Sequence, residues 1–97
     1  MDYWPAVIQV IPTDDYQVYV YFDDGTIRLF DARELVSQGR FQTLTQSNLF
    51  YDACTVINET LAWTLDGSYS ENNCLDLDPT TLYEISPIVD EPLHLLA

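Results

Sequence analysis

The sequence contains no lysine, one histidine, two cysteines and three glycines, and its whole supply of permanent positive charge is Arg28, Arg33 and Arg40. Each shortage removes a class of function. Nucleic-acid binders gain much of their affinity by neutralising phosphates with basic side chains, so direct nucleic-acid binding is not expected. An anionic membrane surface is a poor partner for the same reason. No apolar run approaches the roughly 20 residues that span a bilayer. Cys54 and Cys74 belong to no CxxC pair and His94 is the lone imidazole, so a zinc ligand set is missing. The opening Met1-Asp2-Tyr3-Trp4-Pro5 has neither a basic flank nor a hydrophobic stretch, so a signal peptide is not expected. A cytoplasmic location with reduced thiols is the corresponding expectation. No Gly-rich phosphate loop is present, and no cofactor is implied.

What the chain does have is acid and apolar mass. Its 97 residues carry 16 Asp and Glu, for a formal net charge of -13. Such acidity alone would suit a disordered segment, but 47% hydrophobic and 13% aromatic residues can repay the entropy of ordering. A chain of this size buries about 65% of its unfolded surface, enough for one modest core. The expected organisation is a single domain over 1–97, with 88–97 as a tail that either docks through Leu93, Leu95 and Leu96 or frays.

Local signals divide the chain further. The β-prone run at 6–12 ends at Pro12, and Thr13-Asp14-Asp15 makes a turn. From Tyr16 to Phe22 apolar and polar positions alternate, Asp24-Gly25 suits a two-residue type I′ reversal, and Thr26–Phe30 returns. With that loop, Tyr21 faces Arg28, Val20 faces Leu29 and Tyr19 faces Phe30. One side then carries Val18, Val20, Phe22, Ile27 and Leu29 as the core face, and the reverse carries Tyr19, Tyr21, Arg28 and Phe30. Asp31-Ala32-Arg33-Glu34 fits a capping box ahead of a short helix that turns Leu35 and Val36 inward and stops at Gly39. Phe41 and Leu44 anchor the connection. A second small helix over 46–51 buries Leu49 and Phe50, and strands at 54–57 and 61–63 flank an Asn58-Glu59-Thr60 turn. Residues 66–74 read as an exposed loop. Asp78-Pro79 starts a helix with Leu82 and Ile85 on its buried stripe, halted by Pro87. The fold class is therefore α+β, a small antiparallel sheet with two or three short helices packed against it.

This succession resembles a known family. The stretch Tyr16–Gly25, then Arg28-Leu29-Phe30-Asp31, Phe41 through Phe50, Leu61-Ala62-Trp63, Leu75-Asp76-Leu77-Asp78-Pro79 and Leu82-Tyr83-Glu84 are similar to the DUF2442 family of small bacterial proteins, also described as having the NE0471 N-terminal domain-like fold. The resemblance covers roughly residues 5–86. It implies an α+β fold and supplies no catalytic residues. Some members are linked to toxin–antitoxin-type gene neighbourhoods. Others carry a following helix-turn-helix domain that this sequence does not include, so DNA binding by that route is not expected.

Four acidic residues, Asp66, Glu71, Asp76 and Asp78, come nearest to a metal site. Their spacing does not match an EF-hand loop, and Asp78 is already explained as a helix cap, so a solvated acidic loop is the plainer reading. Acid/base chemistry needs a carboxyl with a raised pKa in a pocket, and nucleophilic chemistry needs a base and an orienting group; the sequence marks neither, so no catalytic residue and no metal ligand is assigned and an enzyme is not expected. Trp63, Tyr83 and Glu84 either form a small recognition surface or pack structurally. The reverse hairpin face, with Tyr19, Tyr21, Arg28 and Phe30, either lies under a helix or the tail or forms an interface, with a Tyr21–Arg28 cation–π pair. The expected function is an acidic protein-interaction module, an antitoxin-like partner of a basic protein, with a homo-oligomer through the tyrosine face also open. The alternative is a ligand- or divalent-metal-responsive domain using the Asp66–Asp78 loop.

Overall fold

The computed structural model describes residues 3–65 and 74–92. Two three-stranded antiparallel meanders form the frame. The first runs β1 (Val7–Pro12), β2 (Gln17–Phe22) and β3 (Ile27–Asp31), with β2 central; the second runs β4 (Cys54–Ile57), β5 (Thr60–Thr64) and β6 (Cys74–Asp76), with β5 central. Between them the chain makes 3-10 turns at Leu35–Ser37 and Gly39–Thr45 and a one-turn helix α1 (Leu49–Asp52); after β6 comes α2 (Pro79–Ile85). The Val7 amide donates to the Glu59 carbonyl at 2.8 Å, which ties β1 to the β4–β5 turn. The α+β class holds, with two small sheets in place of one.

Alternation on β2 decides the core. Val18, Val20 and Phe22 are fully buried, and with Leu44, Phe50, Leu61, Trp63 and Leu82 they join one contiguous cluster. The expected β4–β5 hairpin forms, with a two-residue reversal at Asn58-Glu59 and with Thr60 already in β5 rather than in the turn. Asn58 and Glu59 both take positive φ, 52° and 63°, so the type I′ geometry appears here. The Asp78 carboxylate accepts from the Thr81 amide at 3.3 Å and the Thr81 hydroxyl at 2.9 Å, and Pro79 opens α2 as its sequence predicts.

The first hairpin differs from expectation by one residue. Its loop is Asp23-Asp24-Gly25, closed by the Phe22 amide on the Thr26 carbonyl at 3.0 Å, with only Gly25 at positive φ (89°). A three-residue loop ending in a left-handed glycine is the next commonest hairpin geometry. The Asp24 carboxylate selects it: Oδ1 accepts from the Thr26 amide at 2.9 Å and the Thr26 hydroxyl at 2.7 Å, and Oδ2 accepts from the Tyr83 hydroxyl at 2.6 Å. The register is consequently Val18↔Phe30, Tyr19↔Leu29, Val20↔Arg28 and Tyr21↔Ile27. A one-residue shift exchanges the faces of the whole returning strand. Phe30 is buried in the core, Arg28 shares its face, and Ile27 and Leu29 lie half-buried on the reverse side with Tyr19 and Tyr21.

Other local expectations are corrected as well. The capping box at Asp31 does not form: Asp31 instead accepts from the Arg33 amide at 3.0 Å and pairs with its guanidinium at 2.6 Å, so the following element is a single 3-10 turn. Ile85 is 61% exposed rather than on the buried stripe. Strand β6 occupies positions read as loop and as connector; three residues with Leu75 buried give too short an alternation to register as a strand. After α2 the chain runs beside β3, where Leu29 donates to the Pro87 carbonyl at 3.0 Å and Val89 donates to the Ile27 carbonyl at 2.8 Å. This short ladder fills part of the outer edge of β3.

Candidate functional site

The residues singled out by the sequence fall in three separate places. Tyr19 and Tyr21 share the reverse face of the first sheet with Ile27 and Leu29, all half-buried, and the Tyr21 hydroxyl donates to the Glu91 carboxylate on the post-α2 segment. Partial burial, followed by that carboxylate, pushes the Tyr21 phenol up to about 12. Trp63 lies at the opposite extreme. It is wholly enclosed, its Nε1–H donates to the Phe50 carbonyl at 3.0 Å, and the Phe50 and Phe41 rings stand 5.4 and 6.2 Å from it. A side chain so placed contributes no contact surface; it packs the core.

Arg28 and Tyr83 do come together, though not as expected. The Arg28 guanidinium stacks 3.7 Å above the Tyr83 ring centroid and donates through Nη1 to the carbonyls of Tyr83 at 2.8 Å and Ser86 at 3.2 Å. Those carbonyls belong to the end of α2, which lacks intrahelical donors, so the cation closes the helix and complements its dipole. The Tyr21–Arg28 pair expected from the sequence is replaced by this one. Around the node, Tyr83 meets Phe22 edge-on at 5.0 Å and Tyr3 at 5.3 Å, while the Tyr3 hydroxyl donates to Asp23. Glu84, the next residue, is exposed.

A groove that the sequence did not mark lies on the other side of α2, between that helix and the β3–Gln38 segment. It has a volume of about 400 Å³, within the size range of sites that hold small ligands or a few side chains. Phe30, Leu35, Leu77 and Leu82 give it an apolar floor and Ile85 stands on its wall. Phe30 and Leu82 are core residues and Leu35 and Leu77 pack on the core, so the floor is built before anything binds. Asp31, Glu34 and Asp78 contribute three carboxylates, and no basic residue among the described residues lines it. Asp31 is held by Arg33, whose hydrogen bonds keep the carboxyl at about 2. Asp78 caps α2. Glu34 has no side-chain partner among the described residues and is exposed.

Asp66 and Glu71 lie outside the described residues, Asp76 is on β6, and Asp78 serves as a cap. Among the described residues no group of three or more His, Cys, Asp or Glu is placed to hold a metal ion. Cys54 is a free thiol, and burial pushes it up to about 12, which leaves it without nucleophilic character at neutral pH. No helix among the described residues is long and apolar enough to cross a membrane.

Comparison with known proteins adds one positive result. A family model described as "Protein of unknown function (DUF2442)" matches residues 7–87. No curated protein and no solved structure matches the chain.

Proposed function

The chain belongs to the DUF2442 family, and we propose that it acts as an acidic protein-interaction module whose partner is a basic protein. The observation that carries this reading is the fate of the three arginines. Arg28 is committed to Tyr83 and the end of α2, and Arg33 is paired with Asp31. Only Arg40 is left without a partner among the described residues. Against 16 acidic side chains and a net charge of -13 this leaves a predominantly negative potential around the molecule. Such a potential steers a basic partner into encounter and repels nucleic acid that would compete for it. An antitoxin-like role in the cytoplasm, neutralising a basic protein, is the specific form of the reading, in keeping with the toxin–antitoxin-type gene neighbourhoods of some family members.

The test is a binary one with purified components. The protein is used as bait at low ionic strength, the captured protein is identified, and the pair is reconstituted and titrated at increasing salt. A basic partner whose affinity falls steeply as the Debye length shrinks from about 10 Å to about 3 Å is the expected result. A neutral or acidic partner, or an affinity indifferent to salt, overturns the reading.

A further inference from the structure

The proposed module has a basic partner, and the groove beside α2 bears on what else that partner carries. We infer that the groove seats the apolar face of a basic amphipathic helix, with aliphatic side chains on the Phe30–Leu82 floor and arginine or lysine reaching Glu34 and its neighbours. This rests on the interaction-module reading and narrows it to one surface and one kind of segment.

Three observations converge. The floor is apolar and packs on the core, while carboxylates are the only charged groups lining it among the described residues. A segment with apolar residues on one side and positive charge on the other complements both features, whereas a purely basic segment would leave the floor wet and a purely apolar one would leave Glu34 without a cation. The third observation selects the conformation of the guest. Extended peptides commonly bind by adding a strand to an open sheet edge. Here the Ile27 carbonyl and the Leu29 amide on the edge of β3 nearest α2 are already bonded to Val89 and Pro87 of the same chain. Those two edge groups are closed to strand addition, which favours recognition through side chains, and a helix delivers them in a row, three and four residues apart. Ile85, 61% exposed on the wall, is explained as a contact held in reserve for that guest.

Three short synthetic peptides and the full chain decide the matter by fluorescence anisotropy. The first carries leucines on one helical face and arginines on the other; the second replaces each leucine with serine; the third replaces each arginine with glutamate. The first is expected to bind at least about tenfold more tightly than the second, since one or two aliphatic side chains leaving water are worth that factor. The third is expected not to bind. Ile85→Ser and Glu34→Arg should each weaken the first peptide about fivefold or more. Asp52→Arg, with the same change in net charge on α1 away from the groove, should leave it within about twofold. All three positions are exposed, and the melting curve of each variant reports its fold independently. Equal binding of the first two peptides, or equal damage from Asp52→Arg and Glu34→Arg, overturns the groove as the seat while leaving a charge-driven module intact. If neither basic peptide binds at low salt, the module reading falls with it.

Discussion

At the scale of single residues, Arg28 bears more of the structure than its half-exposed position suggests. Its guanidinium lies flat on the Tyr83 ring and donates to two carbonyls that close α2. Hydrogen bonds from charged groups are worth about 1.5–3 kcal/mol. Arg28→Met should therefore lower the unfolding free energy in urea by about 2 kcal/mol, and Arg28→Lys should restore little, because an ammonium neither stacks as a plane nor reaches both acceptors. Ser86 presents the opposite case. It is 2% exposed, and its hydroxyl has no hydrogen-bond partner among the described residues. An unmatched buried hydroxyl costs about 1–3 kcal/mol, so Ser86→Ala should leave stability unchanged or raise it by about 1 kcal/mol in the same measurement. A loss would show that the hydroxyl is satisfied. Asp24 connects residue to pH. Partial burial pushes its carboxyl up, but the hydrogen bonds from Tyr83 and Thr26, helped by Arg28, outweigh this and hold it below the ordinary 3.8. A depressed folded-state pKa contributes stability that is present above the unfolded value and fades as pH falls through the folded one. Melting temperatures of Asp24→Asn should accordingly fall less steeply than wild type below about pH 4; parallel curves would remove Asp24 from the account.

At the scale of elements, turns govern everything the hairpins present. Glu59 sits at φ 63° in the β4–β5 reversal, a conformation costing a side-chain-bearing residue about 1 kcal/mol. Glu59→Gly creates an Asn-Gly pair suited to that geometry and should raise stability by about 0.5–1 kcal/mol by chemical denaturation. Gly25→Ala, at φ 89°, should lower it by a similar amount. These two loops also show what was legible beforehand. Alternation at Gln17–Phe22 and the Asp78-Pro79 start are written in neighbouring residues, and both elements form where they are expected. Asp24-Gly25 is compatible with a two- or a three-residue loop, and the choice is made partly by Tyr83, 59 positions away. No local signal carries that contact. With a three-residue loop in place of a two-residue one, Phe30 and Leu29 exchange sides, and Phe30, expected on the outer face, is core. The groove was illegible for the same reason. Its walls come from Phe30–Gln38 and Leu77–Ile85, which only the folded chain brings together. Trp63 was half legible: its aromatic character marked importance, but full enclosure followed from Phe41 and Phe50 closing over it.

At the scale of the whole molecule, the dominant quantity is a net charge of -13 on 97 residues. Like charges at this density repel one another in the compact state more than in the expanded chain. Added sodium chloride should therefore raise the melting temperature steadily between about 0.01 and 0.5 M, as screening shortens from about 30 Å to a few ångströms. A flat response would mean that the carboxylates are spaced widely enough to ignore one another. The same repulsion keeps separate copies apart near neutral pH and weakens as acid titrates the surface. Under those conditions an open strand margin becomes the hazard, since exposed amides and carbonyls template further strands. Pro87–Val89 lies along that margin of β3, occupying its Leu29 amide and Ile27 carbonyl with the chain's own backbone. The molecule thus carries a built-in stopper against filament growth at this rim, one that keeps working when its electrostatic shield is gone.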